Sequence, residues 1–277
     1  MLVKLIKNDM KSAWRVVSKI YFAAFAVMGV MLLALFTRLS VAKTLSSIAL
    51  IAVSFVAIVI TAITVFGEFD KVMFGDRGYL TNTLPADSMS IVFSKFVNSM
   101  LWIVASYVFL SINIIFVYYY YSDNSRGSFL SSLMETLPDL ADLGLPSMGI
   151  FKKLIALFVL KALLWTAGFV ILTFFALTLS NTNYLQKYGT LGSIVTVIAV
   201  FIILNYAGGL FAKFCAVAVL VPPDGGLSFA ISNEAVMDMK ALGGGAVSFA
   251  KTYFFLIAAF LSYIASIELL DKKINLK

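Results

Sequence analysis

Apolar residues along the chain gather into long runs parted by short polar breaks, and six of these runs approach membrane-crossing length. A helix rising 1.5 Å per residue needs roughly 20 mostly apolar residues to cross a hydrocarbon core of about 30 Å. The runs predict transmembrane helices over about Ile20–Phe36, Leu45–Phe66, Val97–Tyr121, Leu154–Leu179, Ser193–Val221 and Val247–Leu269. The first stands at the lower limit and draws on Val16 and Val17 for length.

Ahead of it the pattern changes from continuous to periodic. Lys4, Lys7, Lys11, Arg15 and Lys19 recur every three or four residues, and Leu2, Leu5 or Ile6, Met10, Ala13 or Trp14, and Val17 form the complementary stripe. Residues 1–19 are therefore expected to be an amphipathic helix lying at the membrane interface, with lysines among headgroups. Ser40-Val41-Ala42 has the small-residue form of a signal-peptide cleavage site. Five further runs and a long, patterned basic region favour an uncleaved first span. Two of the polar breaks are long. Residues 122–150 open on Ser-Asp-Asn-Ser-Arg-Gly and continue into a short amphipathic pattern with Pro138 as a kink or a stop. Residues 221–248 open on Pro222-Pro223, close on Gly243-Gly244-Gly245, and enclose SNEAVMDMKAL, which reads as one capped helix. The expected fold is all-α: a single transmembrane domain over 1–277, with six spans and an N-terminal interfacial helix.

Composition agrees. The chain has 277 residues, 61% hydrophobic and 13% charged, with a mean hydropathy of +0.99, against about 45–50% apolar and about 25% charged in soluble domains. The net charge of +7 sits mostly at the ends of apolar runs, which assigns it to topology and anionic headgroups rather than to nucleic acid. With the N-terminus inside, twelve Lys and Arg residues fall on the inner side and seven on the outer. Both termini and segments 67–96 and 180–192 are then expected in the cytoplasm, and 122–150 and 221–248 outside.

The chemistry on offer is narrow. The chain has no histidine, so His-based zinc sites, haem ligation through His and Ser-His or Cys-His catalysis are excluded. Cys215 stands alone among apolar neighbours and reads as packing. Gly-rich 242–245 lacks the Lys-Ser/Thr of a phosphate-binding loop, and no Walker motif is present. The chain is expected to bind no cofactor or metal and to catalyse nothing itself; any ATP it uses must be hydrolysed on another polypeptide. Tyr118–Tyr121 read as an aromatic belt at the outer interface. Lys161 and Lys213 fall inside predicted spans, where an ionisable residue is costly. Each either lines a substrate path or snorkels to the interface.

Segment 67–96 is different in kind. Glu68 and Lys71 lie at helical spacing with Phe69, Val72 and Met73, and Gly75 and Gly78 permit a tight turn. Tyr79, Leu80 and Leu84 offer apolar anchors before Pro85. A short amphipathic helix with exposed aromatics at its tip, including Phe74, is expected to plug a partner's groove.

FGDRGYLTNTLPADSMSIVFSKF resembles the segment after the second span of bacterial ABC-2-type permeases, the membrane subunits of ATP-binding-cassette exporters. The resemblance is carried by Tyr79-Leu80, Leu84-Pro85 and Lys95, and by the layout of six spans after a basic helix. It implies that the segment includes a coupling helix docking on a separate ATPase subunit, with Phe69, Met73, Phe74, Asp76, Arg77, Tyr79 and Leu80 as contact candidates. It further implies ATP and Mg2+ on that ATPase, a second permease copy, a re-entrant element near 210–245 and residence in the bacterial cytoplasmic membrane. The cargo would be an amphipathic or hydrophobic peptide, drug or lipid. The alternative is a stand-alone membrane protein, such as a secondary carrier or a bacteriocin-immunity protein.

Overall fold

No glycine or proline interrupts Leu2–Met28, so nothing breaks the backbone where the basic repeat passes into the apolar run. In a computed structural model, which describes residues 2–35, 40–75, 88–121, 148–182, 185–215, 217–222, 226–232 and 245–272, the two stretches form one helix. This is α1, Leu2–Leu35, of 34 residues. A separate helix over 1–19 is thus not what the backbone forms. The same continuity governs the next two elements, α2 (Ser40–Met73) and α3 (Ser88–Tyr121), each also of 34 residues. At 1.5 Å per residue each is about 51 Å long, well beyond a hydrocarbon core of about 30 Å. Residues 67–73 are correspondingly the last turns of α2, not a short helix of their own.

Then follow α4 (Met148–Ser180), a 3-10 turn at Gln186–Tyr188, α5 (Gly189–Phe214) and, after a stretch of sheet, α6 (Ala250–Lys272). Among the described residues six helices are long and apolar enough to cross a membrane. They divide into two compact units, one holding α1–α3 and the other α4–α6 with the sheet.

In the first unit α1 meets α3 through Asp9 with Lys95 and Tyr21 with Ser106, so these two helices run parallel. It meets α2 through Ser12 with Glu68 and through Ala24 with Ala57, so α2 runs antiparallel to both.

In the second unit the turn from α4 to α5 is made by Gly189, whose φ of +56° only glycine adopts at low cost. Leu172 of α4 and Phe255 and Ala259 of α6 form the core, flanked by Trp165, Phe201 and Leu204. Gly168 faces α6: a Cβ there would stand 3.7 Å from the Phe255 carbonyl oxygen, in ordinary van der Waals contact.

An all-α architecture needs correction here. The apolar run expected to continue as helix to Val221 leaves α5 at Phe214 and becomes strand β1, Ala218–Val221. With β2 (Ser228–Ala230) and β3 (Gly245–Ser248) it forms an antiparallel sheet of order β2-β1-β3. Val219 pairs with Phe229 on one side and Val247 on the other. Val247 is therefore strand, and α6 starts three residues later than the apolar run does. The period-2 alternation of a strand puts Val219, Val221 and Val247 on one face, where they pack on Leu154, Leu157 and Leu164 of α4. Ala218, Leu220, Ala230 and Ala246 make up the other face. The helices expected within 122–147 and 233–244 lie outside the described residues.

Candidate functional site

Asp9 is the only acidic residue before Glu68, set within a ladder of lysines. The basic side chains Lys4, Lys7, Lys11, Arg15 and Lys19 are all exposed, whereas Asp9, Ala13 and Val17, four residues apart, form the buried stripe. Asp9 thereby faces α3. Its carboxylate accepts a hydrogen bond from Ser94 Oγ at 2.8 Å and forms an ion pair with Lys95 Nζ. The two charged side chains are only 10% and 12% exposed, so each depends on the other to offset its lost hydration. One turn along α1, Ser12 Oγ donates to the carboxylate of Glu68 on α2.

Polar contacts continue along the unit away from this charged end. The Trp14 and Trp102 rings are 5.7 Å apart, Tyr21 and Ser106 share a 2.6 Å hydrogen bond, and Asn113 Nδ2 donates to Ser54 Oγ at 2.9 Å. Asn98 Oδ1, Trp102 Nε1 and Asn113 Oδ1 are buried with no hydrogen-bond partner among the described residues.

No family model, curated protein or solved structure matches the chain.

The residues expected from the sequence are distributed unevenly over this end. Phe69, Met73 and Phe74 come together, but inward: they are 2%, 1% and 8% exposed, and the Phe69 and Phe74 rings meet edge to face at 6.0 Å. The expectation of an exposed Phe74 is overturned by the length of α2, which carries its helical register into the unit's core through Asp70 O, the acceptor for Phe74 N–H at 2.9 Å. Gly75 then ends the helix. A Cβ there would lie 2.8 Å from the Lys71 carbonyl oxygen, so a side chain would force the backbone apart. Asp76, Arg77, Tyr79 and Leu80 lie outside the described residues.

Lys161 is half-buried within α4, thirteen residues beyond Met148. Lys213 is exposed in the last turn of α5, where a cation is favoured by the helix dipole. Both belong to the second unit, whereas the charged end of α1–α3 belongs to the first. Sequence reasoning gave no role to Asp9, Ser94 or Ser12. The signal for Asp9 was its isolation: one carboxylate set inside a basic repeat is matched to something.

Two open cavities follow the seam between α1 and α2. One, of about 710 Å3, lies toward the charged end and is lined by Val16, Thr64, Gly67, Glu68 and Lys71 among others. The second, of about 510 Å3, is lined by apolar residues including Ala23, Val27, Val56 and Ile60, with Lys19 as its one charged residue among the described residues.

Proposed function

We propose that the chain is the membrane-spanning permease subunit of an ABC exporter in the bacterial cytoplasmic membrane. It moves an amphipathic or hydrophobic substrate with ATP hydrolysed, with Mg2+, on separate ATPase subunits, and pairs with a second permease. Both termini face the cytoplasm, and the basic first half of α1 meets the inner headgroups. The chain catalyses nothing itself.

The observation that carries this reading is the segment from Gly75 to Ser88, which combines the ABC-2-like residues Tyr79-Leu80 and Leu84-Pro85 with two stiff attachments. On one side α2 ends in the buried Phe69, Met73 and Phe74. On the other, α3 is fixed to α1 by Lys95 and Ser94 on Asp9 one to two turns into the helix. A push delivered at these two attachments reaches three helices. Direct contact with the ATPase then falls to Asp76, Arg77, Tyr79 and Leu80, with the buried Phe69, Met73 and Phe74 serving as the footing.

Affinity purification of the tagged chain from native membranes in mild detergent is expected to retain a polypeptide carrying a Walker motif. Arg77→Ala and Tyr79→Ala should leave that complex assembled while uncoupling its ATPase activity from export. Purified protein that carries no ATPase and transports under an ion gradient would overturn the proposal.

A further inference from the structure

The two cavities between α1 and α2 lie end to end along one seam, and together they offer a slot. Lys19 and Ile20 in the apolar part follow Val16 in the polar part by one turn of α1, and Ile60 precedes Ile63 and Thr64 by one turn of α2. The antiparallel helices leave the slot open because Ala23, Ala24 and Ala57 present only methyl groups to the seam. Its chemistry changes once along its length. From Val27 to Ile20 the lining is aliphatic, and Val56 and Ile60 are 54% and 40% exposed beside it. At Lys19 the first charge appears. Beyond it, Thr64, Glu68 and Lys71, spaced four and three residues apart on one face of α2, contribute a hydroxyl, a carboxylate and a second ammonium.

We propose that this slot binds a phosphatidylethanolamine molecule, one acyl chain along the apolar part, its phosphate at Lys19 and its ammonium at Glu68. The assignment does not depend on the transport reading. It rests on the order of the groups: tail, cation, then a carboxylate, the complement of a lipid whose phosphate precedes a primary ammonium. A phosphate beside a lysine ammonium gains charge-assisted hydrogen bonds, and a primary ammonium donates to a carboxylate where a trimethylammonium has no proton to give. Ser12 Oγ already donates to Glu68, which fixes the carboxylate and leaves it further acceptor capacity.

The test is native mass spectrometry and thermal unfolding of delipidated full-length protein, titrated separately with phosphatidylethanolamine, phosphatidylcholine and phosphatidylglycerol. Phosphatidylethanolamine should bind at least about tenfold more tightly than phosphatidylcholine, the worth of one charge-assisted hydrogen bond, and should raise the unfolding temperature. Lys19→Gln, an exposed position, and Ala23→Leu, which fills the slot from its rim, should each weaken that binding about tenfold or more and abolish the thermal gain. Glu68→Gln should bring phosphatidylethanolamine and phosphatidylcholine to equal affinity. Equal binding of all three lipids to the unsubstituted protein, tighter binding of phosphatidylglycerol, or unchanged binding by both Lys19→Gln and Ala23→Leu would each overturn the assignment. So would a dimer, persisting after delipidation, that protects Ala23, since the slot would then belong to a second copy.

Discussion

The two units hold three helices each, of similar hydropathy, by different means. In α1–α3 polar side chains bridge from helix to helix: Asp9 to Lys95 and Ser94, Ser12 to Glu68, Tyr21 to Ser106, Asn113 to Ser54. In α4–α6 most hydroxyls turn back on their own helix, as Thr166 to Ala162, Thr173 to Phe169 and Thr178 to Phe174, and a polar bridge between helices is made where α4 ends and α5 begins, by Ser180 and Ser193 at 3.0 Å. Elsewhere in that unit the helices meet through rings and aliphatic side chains, with Trp165 and Phe255 at 4.2 Å. Lipid tails are as apolar as leucine, so apolar contact in a bilayer gains only packing, whereas a polar bridge gains a partner that lipid cannot supply. A packed interface can slide by a fraction of a turn at modest cost. A bridged one has a fixed register. The first unit therefore has the more firmly fixed register, and the comparison can be broken at three places.

The largest effect is expected at Asp9. Asp9→Ala leaves the Lys95 ammonium nearly nine-tenths buried without its counter-charge, a change that costs about 3–5 kcal/mol in buried pairs. Unfolding of the purified protein in mixed micelles measures it. Asp9→Ala combined with Lys95→Met should recover most of the loss, because an apolar pair of similar volume has no charge to desolvate. Equal stability of Asp9→Ala and the unsubstituted protein would remove the basis for calling the first unit charge-locked.

In the second unit the corresponding change is Phe255→Ala. Phe255 is 2% exposed and touches both Trp165 and the Gly208 region of α5. Its loss opens a cavity, but lipid compensates part of the transfer free energy that a soluble core would forfeit, so about 2 kcal/mol is expected. The same unfolding measurement ranks it below Asp9→Ala. The reverse order would mean that rings, not bridges, hold this molecule together.

The features that were legible in the sequence are those written in continuous runs. Six apolar stretches announced six helices because length and hydropathy alone settle that question. Their ends were not legible. The change from basic repeat to apolar run near Lys19 alters what a helix faces, not whether it continues, so one helix was divided into two. Ala218-Val219-Leu220-Val221 extends the apolar run of α5 without a polar break, and four apolar residues do not distinguish strand from helix by periodicity. The hint was Pro222-Pro223 immediately beyond, read as a loop opening rather than as the edge of a strand. The charged end was illegible for a different reason: Asp9 and Lys95 are 86 residues apart, and no local pattern pairs them. Phe74 was misplaced because an aromatic next to Gly75-Asp76-Arg77 looks like a loop tip, although α2 still carries it inward.

The smallest effect is expected at Asn113, and its size is informative. Asn113→Ala removes the bond to Ser54 Oγ, yet Ser54 keeps its own donation to Leu50 O at 2.9 Å, so no donor is orphaned on α2. It also removes Asn113 Oδ1, a buried acceptor without a partner among the described residues, and with it a standing cost of burial. Interhelical hydrogen bonds of this kind average about 0.6 kcal/mol in membranes, and the relief of the unpartnered oxygen should bring the loss to that figure or below. A loss above about 2 kcal/mol would exceed what one such bond contributes and would require a second partner on Oδ1, such as a bound water. The first unit would then be held by a hydrated polar seam rather than by direct bridges, and Asn98 Oδ1 and Trp102 Nε1, one turn apart on the same helix, would be the next positions at which to look for that water.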